Sequence, residues 1–396
     1  MNKQSNAPPR KDAAPGADKV TAQDYAMHLE SNLESLYKRY KEGSYVAPLV
    51  RRVWIDKEDG SQRPIGIPAF EDKVLQRAIA MILSAIYEID FYDFSNGFRE
   101  KRGAHDAIKS VRDGCYQAKV SEIIDADVSK FFDDMPHDRI REILRLRVND
   151  GKIIQLIGRW LKAGVVEDGS VSYPACGSPQ GGVISPLIAN IFLHHVLDKW
   201  FVKQVQPKLQ GRSFLVRFAD DFILGCEVEA DARKIMRVLP KRFGKYGLTI
   251  HPDKSKRVHF RWPSRYSKKS NTGTFDFLGF THYWGRSRNG NRVVKRQTMR
   301  KHQEKSMRSI YIYCRENRHE SVMTQLKGLN VKLRGIYNYY GIRCNYRPLW
   351  MIYQHARECW RKWLSRRSHT GFISWEKFDE FLKIWKLPEP KITKMV

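Results

Sequence analysis

The stretch RFADDFILG, residues 217–225, sets two adjacent carboxylates, Asp220 and Asp221, at the centre of what would otherwise read as a buried hydrophobic hairpin, SFLVRFADDFILGC. Neighbouring carboxylates in such a setting repel each other and are costly to remove from water. A cation between them relieves both problems. A turn lets adjacent side chains face one point, and a hard divalent ion with oxygen ligands, Mg²⁺ above all, suits that point. The same pair also suits a solvated Asp-Asp turn between strands, since Asp is a common turn residue. The choice between the two depends on what lies beside the hairpin.

The segment ADVSKFFDDMPH, residues 126–137, supplies a neighbour. SEIIDADV (121–128) alternates as a strand, so Asp125 and Asp127 share one face. If that strand pairs beside the hairpin, Asp127 joins Asp220 and Asp221 in a cluster of three acids. Such a cluster can hold two ions roughly 3.5–4 Å apart, one activating an attacking hydroxyl and the other stabilising a leaving oxygen. That is the chemistry of phosphoryl transfer.

Charge points to the same substrate class. The 396 residues carry 71 Lys and Arg against 43 Asp and Glu, a formal net charge of +28. This exceeds what solubility needs and implies a polyanionic partner, nucleic acid by default. No run approaches the roughly 18 apolar residues of a spanning helix, and the N-terminus lacks the apolar core of a signal peptide. We therefore expect a soluble, cytoplasmic protein without a membrane partner. The six cysteines are scattered, with no CxxC or Cys/His zinc spacing.

Outward from the acids, the chain alternates strands and helices without a repeat, as an α+β domain does. Residues 1–20 read as a disordered leader packed against nothing. A helix is expected over 22–40, and a hairpin over 50–68 turning at Asp59-Gly60. Helices should follow over 71–86 and from Ala104, then the strand at 121–128. Residues 168–186 read as a loop opening a helix over 185–205. From 286 to 318 there are eleven Lys or Arg against Glu304 and Glu316, with helical rather than strand signals. Leu326, Leu329, Leu333, Ile336, Tyr337 and Tyr340 then share one helical stripe.

These blocks in this order resemble the reverse transcriptases, and among them the group II intron reverse transcriptase/maturases. VRRVWIDKEDGSQRPIGIP with Gln76 resembles the first fingers block, and SNGFREKRGAHDAI the second. ADVSKFFDDMPH is similar to motif A, GSPQGGVISPLIANIFL to motif B and RFADDFILG to motif C. GLTIHPDKSK and FDFLGF resemble the closing palm blocks, and LNVKLRGIYNYYG the maturase, or X, domain. The resemblance implies a right-hand polymerase with fingers and N-terminal helix over 21–120 and a palm over 121–284. A basic helical thumb/X domain follows over 285–396, with no endonuclease domain.

Carried over by position, the resemblance makes Asp127, Asp220 and Asp221 the catalytic, metal-binding acids, assisted by the backbone of Val128, with two Mg²⁺ ions and Mn²⁺ as an admissible substitute. Arg63, Phe132, Gln180 and Lys254 would meet the incoming nucleotide, Phe132 by closing on the sugar 2′ position. Core packing is the alternative for Phe132, and a solvated surface site the alternative for Arg63 and Lys254. Phe218, Ala219, Gly181 and Gly182 would face the template–primer, Phe218 replacing the commoner Tyr of this motif. Lys332, Arg334 and Arg343 would grip RNA, helped by Tyr339, Tyr340, Trp350, Trp360 and Trp363 interleaved with Arg357, Arg361 and Arg366.

The implied activity is RNA-templated DNA synthesis from an RNA template, a DNA primer and dNTPs, joined to assisting the splicing and mobility of a group II intron RNA. A relative serving phage defence or CRISPR spacer acquisition would keep the same palm. A splicing factor or RNA chaperone with a vestigial polymerase would not need three intact acids. The oligomeric state is unknown from sequence.

Overall fold

The computed structural model describes residues 14–56, 60, 62–178, 181–261, 272–368 and 370–394. Backbone contacts divide the chain into two compact units, one ending at Arg257 and the other beginning at Val258. The sequence reading put the division at 284/285. The reason for the difference is that the strands after residue 275 pack with the helices that follow them, as described below.

In the first unit the expected helix over 22–40 is two helices, α1 (Ala22–Met27) and α2 (Leu29–Glu42). His28, at φ −126° and ψ 42°, breaks the axis between them. The side chain of Thr21 and that of Asp24 cap α1 reciprocally. Residues 14–20 do not float free as expected. Lys73 Nζ donates to the Ala14 carbonyl at 2.9 Å, and Gly16 lies directly on the backbone of Ala69.

Strands β1 (Val50–Asp56) and β2 (Gln62–Ile67) form the expected antiparallel hairpin, though Asp59 of its turn lies outside the described residues. Helices α3 (Phe70–Tyr87) and α4 (Ala104–Gln117) follow, then β3 (Glu122–Ala126) and β4 (Val128–Ser129), which interrupt the expected single strand at Asp127. After α5 (Phe131–Asp134), α6 (His137–Arg145) and α7 (Gly151–Leu161) come β5 (Val165–Glu167) and β6 (Ser170–Ser172). The stretch from 168 was read as loop. It instead completes a hairpin, giving a sheet in the order β2-β1-β5-β6.

The helix expected over 185–205 begins as α8 (Ser185–Leu193) and continues through two wide π-type turns, His194–Asp198 and Phe201–Val205. Next come β7 (Ser213–Phe218), β8 (Asp221–Cys226), α9 (Glu229–Gly244), β9 (Thr249–Ile250) and β10 (Lys256–His259). A second sheet runs β10-β3-β8-β7, so the strand ending near Asp127 does pair beside the acidic hairpin. Its apolar side chains and those of α8 and α9 share one core, in which Leu83, Ile124, Phe192, Leu224 and Phe243 are fully buried.

In the second unit, β11 (Phe275–Phe277), β12 (Phe280–Arg286) and β13 (Arg292–Thr298) form a sheet, whose last strand falls where helical signals had been expected. Four helices complete it: α10 (Arg300–Glu316), α11 (Val322–Tyr340), α12 (Tyr346–Ser365) and α13 (Trp375–Ile384). The Phe280 ring lies 5.8 Å from Tyr339 and 5.2 Å from Tyr340, which ties the sheet to α11. The stripe on α11 buries Leu329, Leu333 and Tyr337 against Ile310 and Trp360. No helix among the described residues is long and apolar enough to cross a membrane.

Trp360 is wholly buried and donates from Nε1 to Gln325 Oε1 at 2.9 Å. Trp360→Ala should therefore cost about 3–5 kcal/mol, leaving both a cavity and an unpaired amide. Urea unfolding followed on this unit checks it; a loss under about 1 kcal/mol contradicts the packing described.

Candidate active site

Phe218 and Asp221 are register partners, which leaves Ala219 and Asp220 as a two-residue turn between β7 and β8. Ala219 sits in the left-handed region at φ +58°, a conformation that costs a non-glycine residue roughly 1 kcal/mol. The turn needs external support, and the neighbouring chain provides it. Segment 94–97 runs along β7, with Arg217 N donating to Phe94 O at 2.9 Å and Asn96 N to Arg217 O at 2.8 Å. Gly97 comes so close that any Cβ there would collide with the Ala219 backbone nitrogen. The SNGF block was read as part of the fingers; here it braces the acidic turn.

Beneath the turn lies a buried polar network that the sequence reading missed. Arg217 donates from Nε and Nη2 to the two Asp198 oxygens at 2.9 and 2.6 Å, and from Nη1 to Asn190 Oδ1 and the Ala219 carbonyl, both at 2.9 Å. Asn190 in turn donates to Gly97 O at 2.6 Å. Burial is the largest influence on the Asp198 carboxyl and would raise it; the Arg217 charge together with the hydrogen bonds from His194 and Arg217 outweighs burial and holds the acid below its ordinary value. The signal was present in the sequence, as an Arg, an Asn and an Asp standing in otherwise apolar runs, which demands that they satisfy one another.

Asp127 occupies the break between β3 and β4. Its N–H donates to Ser255 Oγ at 3.1 Å, and its carbonyl accepts from His251 N at 2.8 Å. Val128 pairs with Ile250 in the short β4–β9 ladder. The GLTIHPDKSK segment thus clamps the acid and also brings cations to it. Lys254 Nζ lies 3.5 Å from Asp127 Oδ2, and Lys256 Nζ lies 3.8 Å from Asp125 Oδ2.

The carboxylates affect one another as a cluster should. The Asp221 carboxyl is pushed up to about 7, first by the protein crowded around it and then by repulsion from Asp220, Asp127 and Asp125. One side of the residue remains open to solvent, so access for an ion is preserved. Asp220 is raised as well, mainly by burial, with Asp127 adding to the rise and the charges of Arg63 and Arg217 opposing it. Asp127, Asp220, Asp221, Arg63 and Lys254 are therefore brought to one place. Among the described residues no group of three or more ligating side chains forms a ready-made metal cage.

A cavity of about 290 Å³ is lined by Arg52, Pro64, Gly66, Phe132, Asp133 and Cys176 among others. Phe132 belongs to the core and also lines this cavity. Gly181, at φ +117°, passes so near the Gly66 carbonyl that a side chain there has no room. Gly182 is buried, and Ile184 N donates to Gln76 Oε1 at 3.3 Å, which fixes the start of α8. Gln180 lies outside the described residues.

In the second unit the three residues read as an RNA grip do not form one face. Lys332 Nζ is bound to Ser309 Oγ at 3.1 Å and lies over the Tyr313 ring, whereas Arg334, two residues on, is exposed. Positions two apart on a helix point about 200° apart. Arg343 lies beyond the end of α11. Of the interleaved aromatics, Trp360 and Trp363 are buried and only Trp350 is well exposed.

The family profile described as reverse transcriptase (RNA-dependent DNA polymerase) matches residues 55–282, which include every acid of the cluster. The chain belongs to the reverse transcriptase family. Protein YkfC of Escherichia coli is 33% identical over 316 residues, 71% of this chain and 79% of that protein. The group II intron-encoded protein LtrA of Lactococcus lactis subsp. cremoris is 38% identical over 185 residues, 46% of this chain and 30% of LtrA. The mitochondrial nuclear intron maturase 1 of Arabidopsis thaliana is 33% identical over 95 residues, 24% of this chain and 13% of that protein. This reverse transcriptase thus spans most of YkfC and less than a third of LtrA. As a family member it acts on nucleic acid and depends on divalent metal ions.

An acid raised in the folded state takes up its proton at higher pH than in the unfolded chain. The contribution of Asp221 to folding is therefore lost as pH rises from 3.8 through about 7. A cation entering the site has to expel that proton. Divalent-cation affinity of this reverse transcriptase should fall below about pH 7, with up to about one proton released per binding event. Calorimetric titration at about pH 6.5 in two buffers of unlike ionisation heat measures the release, and equal heats in both would contradict it.

Proposed function

We propose that this reverse transcriptase synthesises DNA with two Mg²⁺ ions held by Asp127, Asp220 and Asp221, the Val128 backbone assisting. The observation that carries the reading is the convergence of carboxylates from two separate strands whose ionisation is mutually opposed. Bound there, the ions would polarise a primer 3′-hydroxyl and offset charge on the leaving pyrophosphate. The chain's own residues do the rest. Arg63 and Lys254, already beside the acids, are placed to meet the triphosphate. Gly181 and Gly182 let the chain pass close to a base pair, and Phe218 and Ala219 face the primer end. Phe132 closes the nucleotide cavity from the side where a 2′-hydroxyl would sit.

In this reading the first unit furnishes fingers and palm, and the second is a thumb that binds template–primer and a group II intron RNA in the cytoplasm, aiding its splicing. Support for the intron partner comes from the intron-encoded proteins among its relatives. Exposed cations in the second unit, Arg334 and Arg343 included, offer contacts to phosphates.

Primer extension on an RNA template with Mg²⁺ tests the assignment of the acids. Asp220→Asn and Asp221→Asn should each slow synthesis by at least about 10²-fold while the fold survives. Near-unchanged extension by both would remove these residues from the chemistry. For the sugar, Phe132→Val should raise incorporation of ribonucleotides relative to deoxyribonucleotides. A constant ratio in an active variant would leave Phe132 a core residue only.

A further inference from the structure

We propose that Arg217 is a positioning residue for the metal site: anchored on Asp198 and Asn190, its guanidinium holds the Ala219 carbonyl and so sets where the Asp220 and Asp221 carboxylates stand relative to Asp127. This rests on the reading of those three acids as the metal ligands.

The geometry argues against a role confined to core packing. Arg217 and Asp198 side chains are both wholly inaccessible to solvent, and a buried ion pair is a poor stabiliser compared with apolar side chains of similar volume. What an apolar replacement could not supply is a donor to the Ala219 carbonyl. The guanidinium engages four acceptors at once: two Asp198 oxygens, Asn190 Oδ1 and Ala219 O. Only a planar fork spans that set; an ammonium is a point donor and can serve one end of it.

The contact closes on a residue that needs it. Ala219 is left-handed without being glycine, so the turn has an alternative it would otherwise relax toward. Three constraints hold it in place: the carbonyl bond from Arg217, the Gly97 backbone pressed on its nitrogen, and the Phe218–Asp221 register. Asn190 serves two of these, since it receives Arg217 and grips the Gly97 carbonyl. The wide turn His194–Asp198 belongs to the same device, because it carries Asp198 at the point where the helix departs from α geometry.

The test uses the full chain with Arg217→Lys, Asn190→Ser and Gly97→Ala, beside Asp221→Asn. Mn²⁺ binding without nucleic acid, followed by electron paramagnetic resonance, reads the site directly. Extension rates with Mg²⁺ and with Mn²⁺ give a ratio that does not depend on how much of each sample is active. A displacement of the carboxylates near 1 Å should lower kcat about 10²-fold with little change in KM for the nucleotide. Mn²⁺ affinity should weaken, and the Mn²⁺ to Mg²⁺ rate ratio should rise, because Mg²⁺ demands near-ideal octahedral geometry. If the three variants keep wild-type Mn²⁺ affinity and rate ratio while Asp221→Asn loses both, Arg217 is structural only and the proposal fails. If Asp221→Asn also leaves both unchanged, the reading of the acids fails instead.

Discussion

The ion pair between Arg217 and Asp198 is the constraint on which the centre of this reverse transcriptase depends. Desolvating two charges is expensive, and removing one partner of such a pair strands the other at a cost of roughly 3–5 kcal/mol. The chain meets that cost where it gains control of a turn. Around the guanidinium are gathered the helix that begins at Ser185, the segment bracing β7, and the turn that carries two acids. Each belongs to a different block of the sequence, and none is placed without the others.

A second constraint acts on the remaining acid. Asp127 stands where a strand breaks, and a break leaves backbone groups that have to be satisfied. They are satisfied by Ser255 and His251, residues of the segment that also brings Lys254 and Lys256 alongside. One loop therefore both fixes the carboxylate and offsets part of the cluster's charge. The acids of this site stand crowded but not abandoned, a poised arrangement for a protein that must take up cations and a triphosphate together.

Much of this was legible in the sequence. The hairpin, its acidic turn, the neighbouring strand and the long helix from Ser185 all followed from periodicity and turn chemistry, because each is set by local pattern. The family followed from the order of the blocks. What escaped the reading was either weakly patterned or long-range. The β6 strand, Ser170–Ser172, is short and exposed, so alternation could not reveal it. In the second unit the strand β13, RVVKRQT, is rich in Lys and Arg, and its edge-like composition disguised it. The break at His28 follows from a backbone angle that no periodicity encodes. That Lys332 and Arg334 point to different sides of their helix follows from helix geometry. Arg217 was visible as a charge in an apolar run, but its partners, Asp198 and Asn190, lie 19 and 27 residues away.

The clamp on Asp127 has one more consequence, for how the protein comes to exist. Ser255 lies 128 residues beyond the acid it holds. Contacts that remote form late, because closing a long loop is entropically costly before it is rewarded. During synthesis the ribosome will have released the strand bearing Asp127 well before the segment that completes it. A nascent chain thus carries its acids in unfinished form until the first unit is nearly whole. Truncated products ending before residue 255 should be inert toward nucleic-acid chemistry, and activity should switch on as one late step of assembly, not accrue gradually.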